Sequence, residues 1–435
     1  MARFHPQFKK GGCKMKKVVI LLAAIGIAAG LGSLSVSLAQ QPRLGIEVYK
    51  DNPNQQIPTT ELVNRWAKEN NVQTDITMGG HANRLTIATT ALEGGTGPDI
   101  LMLADFEPNL FSKGLLDLSD LADKIGVQNG GWYPIAKEIG TAEGQWKALP
   151  IYIYMHEMIY RKDIVEAIHA KVPQTWDEFR AVLKKIKDAK LKIQPFGVAY
   201  ARSFDGQQFL ISVILSNGGE VLSADGKRVV FNSPETVKSL KYVIGLYRQG
   251  LVDPTVPGWD DSTNNQAMLS ERIAFTFNSF SIKMASEKDF PKLDPKIGAA
   301  VYPGGPKGRF SFPFTLSYGI RKNSNQPELA KKLLAYLFEA KNYQYVLEST
   351  AGATGTSLKG FANLPFWAKK PDWKANLDAI PTARLFAPPS AATAEVNNSY
   401  VIVDMIGDVL VGGMTEEQAV EKAAKRMEEI YFGKK

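Results

Sequence analysis

The sequence predicts an α/β fold with two lobes, on three observations. With 435 residues, the chain is too long for one ordinary domain and long enough for two. Hydrophobic residues make up 44% and charged residues 22% of it, close to the average of globular proteins, which argues against a disordered or fibrous chain. From residue 43 onward, short apolar runs alternate with amphipathic stretches, the succession of strands and helices typical of α/β lobes.

Residues 1–39 have the layout of a cleavable signal peptide. Three lysines precede an apolar run that begins at Val18, and Ser37 and Ala39 supply the small residues of a cleavage site. The alternative is a retained membrane anchor, since the stretch from Val18 to Ala39 is long enough to span a bilayer. The glycines and serines within it favour the signal peptide. We therefore expect export to the periplasm or the extracellular space, whether translation starts at Met1 or at Met15.

The single cysteine, Cys13, lies before the apolar run. A lipoprotein carries its lipidated cysteine just after that run, so we expect no lipid anchor. The chain after residue 39 contains no cysteine, which excludes a disulfide, a thiol nucleophile and a cysteine metal site there.

The positive charge of the chain belongs mostly to its beginning. The formal net charge is +8, from 52 basic and 44 acidic residues. Residues 1–39 hold six of the basic residues and no acidic one, so the rest of the chain has a net charge of only +2. This balance gives no electrostatic reason to expect a nucleic-acid partner.

The first elements form a β-α-β-α-β succession, which predicts an α/β lobe. A strand over Leu44–Tyr49 is followed by a helix over Thr60–Asn70 and a strand over Thr74–Met78. A helix over Leu85–Leu92 then precedes Ile100–Leu103, an all-apolar run typical of a strand buried in a parallel sheet.

Four later helices carry explicit start signals. Thr175 and Thr415 each open a capping box, Ser233 combines a cap with a proline in the first turn, and Pro327 begins a helix with an apolar stripe. We predict further strands at Ala148–Tyr154, Met158–Arg161, Phe196–Ala199, Arg228–Phe231, Ile273–Phe277, Ile297–Val301 and Ser317–Ile320.

Catalytic signatures are absent from the sequence. It contains no G-x-S-x-G, H-E-x-x-H or G-x-x-x-x-G-K-[ST] motif. The three histidines after the leader, His81, His156 and His169, are far apart and make a poor basis for a metal site. We expect a protein that is not an enzyme and needs no cofactor.

Six segments, in order, resemble the bacterial extracellular solute-binding proteins of family 1, which serve carbohydrate ABC importers. They are Thr86–Leu101 with its Gly-Gly-Thr-Gly-Pro-Asp turn, Lys113–Leu118, Gly144–Pro150 with Ile159–Asp163, Pro173–Glu178 reading Pro-Gln-Thr-Trp-Asp-Glu, Phe231–Glu235, and Thr415–Ala419. The chain departs from the family pattern at Pro313–Tyr318, where a Gly-Gly pattern is commoner.

The resemblance implies a two-lobed periplasmic-binding-protein-like fold with a ligand cleft between the lobes and two or three crossing hinge segments. Lobe I would comprise 43–150 plus 315–365, and lobe II 153–312 plus 366–435. The implied function is capture of a sugar or oligosaccharide by hinge closure and delivery to the permease subunits of an ABC transporter, by a monomer. Two alternatives stay open: a receptor for a sugar phosphate or another anionic or polyol solute, and a secreted carbohydrate-active enzyme. The paired carboxylates of such an enzyme would be those of Asp260 and Asp261 with Asp105 or Glu107.

By position in the family pattern, the residues that follow cleft-facing strands are candidate ligand contacts. In addition, the loop over 257–261 pairs an aromatic ring with two carboxylates, which suits a sugar platform, although its tryptophan could instead pack onto its own lobe. The predicted ligand-binding residues are Tyr49, His81, Asp105, Tyr154, His156, Trp259, Asp260, Asn278, Phe280, Phe314, Thr354 and Arg384.

Overall fold

The computed structural model describes residues 41–350, 353–369 and 371–433. The predicted signal peptide over residues 1–39, with Cys13, lies outside these residues. Residues from Gln41 onward form one compact unit.

Twelve strands lie in the described part of the chain, and ten of them form two larger sheets. The strands are β1 (Arg43–Tyr49), β2 (Gln73–Gly79), β3 (Ile100–Ala104), β4 (Thr141–Ala142), β5 (Gln145–Trp146), β6 (Leu149–Met155), β7 (Glu157–Arg161), β8 (Gln194–Phe196), β9 (Ile273–Asn278), β10 (Ile297–Ala300), β11 (Pro313–Ile320) and β12 (Gly355–Thr356). The first sheet has the order β12-β6-β11-β3-β1-β2 and the second the order β10-β7-β9-β8.

Seventeen α-helices cover these sheets in the same described residues. They are α1 (Pro53–Glu69), α2 (Arg84–Glu93), α3 (Glu107–Leu110), α4 (Ser119–Gln128), α5 (Pro134–Gly140), α6 (Lys162–Ala167), α7 (Trp176–Asp188), α8 (Phe204–Asn217), α9 (Pro234–Arg248), α10 (Thr263–Leu269), α11 (Ser281–Asp289), α12 (Pro327–Leu337), α13 (Ala340–Ser349), α14 (Lys374–Ala379), α15 (Ala391–Asn398), α16 (Val401–Leu410) and α17 (Glu416–Phe432).

The predicted starts of these helices are confirmed, although the capping box at Thr175 is incomplete because Glu178 accepts from the backbone N–H of Gln174 instead of that of Thr175. Thr175 and Ser233 accept hydrogen bonds from backbone N–H groups of α7 and α9, and Thr415 with Gln418 forms a complete capping box at α17. Pro327 is the first residue of α12. These side chains satisfy N–H groups that a helix start leaves without partners.

One predicted strand is wrong, and another, Phe196–Ala199, shares only its first residue with an observed strand, β8. Arg228–Phe231 belongs to neither sheet, and Val229 makes only an isolated bridge with Leu222. The segment folds back on itself around a turn at Gly226, where the residue has a φ of 70°, so its backbone bonds are satisfied locally.

Each larger sheet has its own buried core. Leu44, Ile46, Leu333 and Leu347 pack around the first sheet, while Phe179, Phe196, Phe209, Phe277 and their neighbours fill a second cluster. The two sheets with their helices form two lobes. The boundaries 43–150 plus 315–365 and 153–312 plus 366–435 stay a prediction.

The chain passes from the first sheet to the second through a single residue. Strand β6 ends at Met155 in the first sheet and β7 begins at Glu157 in the second, so His156 alone joins them. The chain returns between β10 and β11, over residues 301–312. The first crossing therefore places a side chain at the boundary between the lobes.

Strand directions bring five chain segments to one edge of the first sheet. Strands β1, β2 and β3 are parallel, and β11 runs antiparallel to both β3 and β6. The carboxyl ends of β1, β2, β3 and β6 and the start of β11 consequently share this edge, where ligands bind in open α/β sheets.

Candidate functional site

A cavity of about 1140 Å³ opens at this edge and is lined by residues of both lobes. Seven of the twelve predicted ligand-binding residues line it: Tyr49, His81, Tyr154, His156, Asn278, Phe280 and Phe314. Other residues that line it include Asp51, Asn52, Phe204, Asp205, Asp261, Asn265, Met284, Glu287, Lys288, Asp289, Ala353 and Trp373.

On the first lobe, Asp51 holds the loop that carries His81. Oδ2 of Asp51 accepts a hydrogen bond from the backbone N–H of His81 at 2.6 Å. A Cβ at Gly80 would lie 2.5 Å from Oδ1 of Asp51, so the glycine leaves room for this carboxylate. The loop after β2 is thereby fixed to the loop after β1.

Four aromatic side chains form a cluster that reaches across the cleft. The Phe314 ring lies 5.5 Å from Tyr154 and 5.3 Å from Phe204, centroid to centroid, and His81 lies 6.2 Å from Phe204. Phe204 belongs to α8, which packs with the second sheet, whereas Tyr154 and Phe314 lie on β6 and β11 of the first sheet and His81 follows β2. The Tyr154 hydroxyl donates to Oε1 of Gln55 on α1, which keeps its ring in place.

On the second lobe, buried polar side chains surround Asp205 at the start of α8. Oδ2 of Asp205 accepts hydrogen bonds from Nδ2 of Asn264 at 2.7 Å and from Nδ2 of Asn278 at 2.8 Å. Nε2 of His156 lies 3.6 Å from Oδ1 of Asp205. Asp261 accepts from the backbone N–H groups of Phe204 and Asp205 at 3.0 and 2.9 Å, which suits a carboxylate at a helix N-terminus.

Burial controls the charge of these groups. It lowers the pKa of His156 to about 3, so this imidazole is neutral at physiological pH. Burial, with a smaller contribution from Asp261, raises the pKa of Asp205 well above its usual range. Nδ1 of His156 has no hydrogen-bond partner among the described residues.

At the far end of the cavity, two aromatic rings stack on each other. The centroids of Phe280 and Trp373 are 4.5 Å apart with 30° between the planes. Nε1 of Trp373 donates to Oε1 of Glu287 at 2.6 Å. Met284 packs against the pair, so α11 covers this end of the cavity.

Asp105, although predicted as a ligand contact, lies behind the cavity wall rather than in it. It is buried, has a φ of 44°, and accepts a hydrogen bond from the backbone N–H of Thr315 at 2.9 Å. Burial raises its pKa to about 7. Next to it, Arg84 forms a buried ion pair with Glu107. Asp105 thus ties the end of β3 to β11.

The structure places the other four predicted residues away from the cavity. Trp259 is buried against Gly197, where a Cβ would lie 2.6 Å from the indole, and its Nε1 donates to Thr255. Asp260 closes its own turn by accepting from Thr263 and Ser262, which lowers its pKa to about 2.

The last two are held by their own neighbours. Thr354 is buried, and its hydroxyl is 2.9 Å from that of Thr350. Arg384 donates to Oε1 of Glu220 at 2.7 Å, and its guanidinium lies over the Phe310 ring.

Sequence reasoning missed Phe204 and Asp205. Both follow the segment Phe196–Ala199, and Ser203 caps α8 by accepting from the N–H of Gly206. The pattern of a predicted strand followed by a capping serine could have identified them, because residues that follow a cleft-facing strand are expected to reach the cleft.

Comparisons with known proteins confirm the resemblance and the two-lobed fold. A model of the family described as bacterial extracellular solute-binding protein matches residues 52–344. The galactooligosaccharide-binding protein of Bacillus subtilis strain 168 is 24% identical over 425 residues, covering 95% of this chain and 96% of its own.

Two solved structures share the fold. The maltose-bound MalE3 of T. maritima is 24% identical, with a TM-score of 0.77 over 89% of this chain and 99% of its own. The GacH receptor of Streptomyces glaucescens GLA.O, solved unliganded and in complex with acarbose, is 17% identical, with a TM-score of 0.77 over 91% of this chain and 100% of its own.

Two kinds of feature are absent from the described residues. These residues contain no group of three or more His, Cys, Asp or Glu side chains arranged to hold a metal ion. None of the helices in this part of the chain is both long and apolar enough to span a bilayer.

Proposed function

The chain belongs to the family of bacterial extracellular solute-binding proteins, and we propose that it captures a sugar or an oligosaccharide by closure of its lobes and delivers it to the permease of an ABC transporter. In this proposal the protein acts as a monomer in the periplasm or the extracellular space, reached through a cleaved signal peptide and without a lipid anchor. It binds its solute without transforming it.

The observation that carries the choice of a saccharide is the alternation of aromatic rings with hydrogen-bonding side chains around one cavity. Sugars present apolar C–H faces, which pack on rings, and hydroxyls, which both donate and accept. Phe204, Phe314 and Tyr154 supply rings, while Asn265 and Asn278 supply amides that can do both. The sugar-binding relatives described above support the same choice.

Closure follows from how the lobes are joined and lined. We take the lobes to be 43–150 plus 315–365 and 153–312 plus 366–435. The chain passes from the first sheet to the second at His156, slightly later than these ranges put the first crossing. A solute that touches both lobes favours the arrangement in which they are close. A micromolar dissociation constant corresponds to about −8 kcal/mol, enough to shift an equilibrium between an open and a closed form.

The proposed enzyme alternative finds little support in the carboxylates first considered for it. Asp260 is engaged in its own turn, and Asp261 accepts two backbone N–H groups. Asp105 and Glu107 lie behind the wall, bonded to Thr315 and Arg84.

A thermal-shift screen of the purified protein tests the proposal. Mono- and oligosaccharides form the panel, with sugar phosphates and polyols as controls, and the solute is recovered afterwards. A bound sugar at a hundred times its Kd stabilises the protein by about 2.7 kcal/mol and so raises the Tm. Recovery of the intact sugar supports a transport receptor. Stabilisation by no sugar would contradict the proposal, shifts with phosphorylated compounds alone would favour the anion receptor, and consumption of the sugar would favour the enzyme.

A further inference from the structure

The wall of the cavity is rich in acidic side chains. Among the described residues that line it, five carry carboxyl groups and one, Lys288, carries an ammonium group. Lys288 lies at the far end, between Glu287 and Asp289 in the sequence. The other three carboxyl groups lie in the half of the cavity next to the first crossing. Asp205 is beside His156, Asp261 bonds to the start of α8, and Asp51 bonds to the loop of His81.

The partners of these three carboxyl groups are neutral N–H donors. Asp51 accepts from the backbone of His81, Asp261 from the backbone at the start of α8, and Asp205 from two asparagine amides. In the described part of the chain, no lysine or arginine forms an ion pair with any of them. No positive charge of the protein therefore lies beside these carboxyl groups. Asp51 and Asp261 are exposed to solvent, whereas Asp205 is buried, and its raised pKa favours the protonated carboxyl as long as no cation approaches it.

The nearest basic side chains do not supply that balance. Burial lowers the pKa of both His156 and His81, which favours the neutral imidazole in each. Arg84, buried beside His81, is ion-paired with Glu107 and also faces Asp105. A charge removed from water is costly unless an opposite charge meets it, and among the three this applies to the buried carboxyl of Asp205. A cation brought by the solute would favour its ionised form.

A second observation at the same place indicates a missing donor. His156 is 3% exposed, lines the cavity, and has no partner for Nδ1 among the described residues. With Nε2 directed at Oδ1 of Asp205, the neutral tautomer that places its proton on Nε2 leaves Nδ1 as an acceptor. A buried acceptor of this kind calls for a donor from the solute.

We propose that the solute brings a positive charge, and that the preferred ligand is a saccharide with a protonated amine, whose ammonium group lies near Asp205, Asp261 and Nδ1 of His156. This inference rests on the proposed function and narrows its substrate class. An ammonium group has three N–H donors and no acceptor, which matches carboxylate oxygens and an imidazole nitrogen. The Phe204 ring beside this site favours a cation as well. Saccharides with phosphate or carboxylate groups are repelled by the same wall.

The test is a calorimetric titration of the purified protein with matched sugars at low and at high salt. Glucosamine, glucose and glucuronate form one set, and galactosamine, galactose and galacturonate another. The β-1,4 dimers of glucosamine, glucose and glucuronate extend the test to oligosaccharides. Each charged sugar differs from its neutral parent at one position: the amino sugar carries an ammonium group in place of the C2 hydroxyl, and the uronate carries a carboxylate in place of the C6 hydroxymethyl group. We expect the amine to bind about tenfold more tightly than its neutral counterpart at low salt, because hydrogen bonds to charged groups are stronger, and the carboxylate not to bind measurably. High salt reduces the preference for the amine.

Two neighbouring aspartates provide a variant and its control. Asp261→Asn removes a carboxylate from the cavity, and we expect it to reduce the preference for the amine to about twofold or less, where the preference is the ratio of the dissociation constants of the neutral sugar and the amine for the same variant. Asp260→Asn removes the same charge from the adjacent residue, which lies outside the cavity lining, and should leave the preference unchanged. The Tm of each variant is measured as well, to check that it is folded.

Each outcome decides a different question. If neutral sugars bind and the amines bind no better, the inference is overturned while the proposed function stands. Tightest binding of the acidic sugars also overturns it. If no saccharide of any charge binds, the proposed function fails, and the inference fails with it.

Discussion

Nε2 of His156 lies 3.6 Å from Oδ1 of Asp205. His156 is the single residue between strand β6 of the first sheet and strand β7 of the second. One of these residues belongs to the crossing and the other to the start of α8, and both line the cavity. A solute that bonds to this pair therefore contacts the crossing segment directly.

His156→Phe tests the contribution of the histidine to binding. The variant keeps a ring against Phe204, which lies 5.5 Å from the imidazole, and removes both nitrogens. Loss of one hydrogen bond of about 1.5 kcal/mol should raise the Kd for the bound sugar about tenfold, measured by calorimetry. His169→Phe on the surface is the control. An unchanged Kd in His156→Phe would show that the solute does not use this side chain.

Phe204→Ala tests the aromatic cluster that reaches across the cleft. The truncation removes the ring that lies 5.3 Å from Phe314 and 6.2 Å from His81. We expect a loss of about 1–2 kcal/mol in the binding free energy, a Kd roughly ten times higher, because a ring that packs on a sugar is lost. Phe290→Ala, at a ring that is 39% exposed and outside the cavity lining, should leave the Kd unchanged; equal effects of the two variants would argue against a platform at Phe204.

Gly79→Ala should destabilise the first lobe. A Cβ at this position would lie 1.8 Å from Oε1 of Glu47, whose side chain is fully buried and cannot move into solvent. Overpacking of this kind costs about 1–3 kcal/mol of unfolding free energy, measured by urea denaturation. Gly258→Ala adds a Cβ in open space and serves as the control. If the urea midpoint of Gly79→Ala equals that of the wild type, the side chain of Glu47 can adopt another conformation that makes room for the methyl group.

The buried carboxyl of Glu47 predicts a dependence of stability on pH. Burial raises its pKa from 4.5 to about 8 in the folded protein. Between these values the folded protein keeps a proton that the unfolded chain has lost, so stability contributed by Glu47 is present below pH 4.5 and decreases as the pH rises toward 8. One such proton corresponds to about 1.4 kcal/mol per pH unit at most.

Glu47→Gln separates this contribution from those of other groups. The amide is neutral at every pH, so the decline in unfolding free energy between pH 5 and 8 should be shallower than in the wild type. The control is Glu328→Gln, because the carboxyl of Glu328 is 76% exposed. Its unfolding free energy should decline with pH as that of the wild type does. Identical curves for Glu47→Gln and the wild type would exclude Glu47 as the source.

The sequence predicts most strands and the edge where they converge, because both follow from local patterns. Apolar runs locate β1, β3 and β9, and the parallel order of the first strands places Tyr49 and His81 at a common edge. Tyr154 and Phe314 reach the same edge because β6 and β11 extend to it.

Placement of a loop residue depends on contacts that no local pattern contains. Trp259 is enclosed because Gly197, more than sixty residues earlier, has no side chain to occupy the space of the indole. Arg384 is held by Glu220 from a distant loop. In the same way, Asp205 reaches the cavity through its bonds to Asn264 and Asn278, which the spacing of these residues does not reveal.

The order of strands in the first sheet has a consequence for how the chain folds as it is made. Strand β11 lies between β3 and β6, and the bond from Thr315 to Asp105 joins residues 210 positions apart. The core of the second lobe is likewise incomplete until α16 and α17 have been synthesised, because their buried side chains belong to it. Neither lobe can finish its core until late in synthesis, so early segments stay without their final partners for most of that time. Contacts between such distant residues slow folding, and a nascent chain of this topology remains unfolded for longer than one whose neighbouring strands pair in sequence.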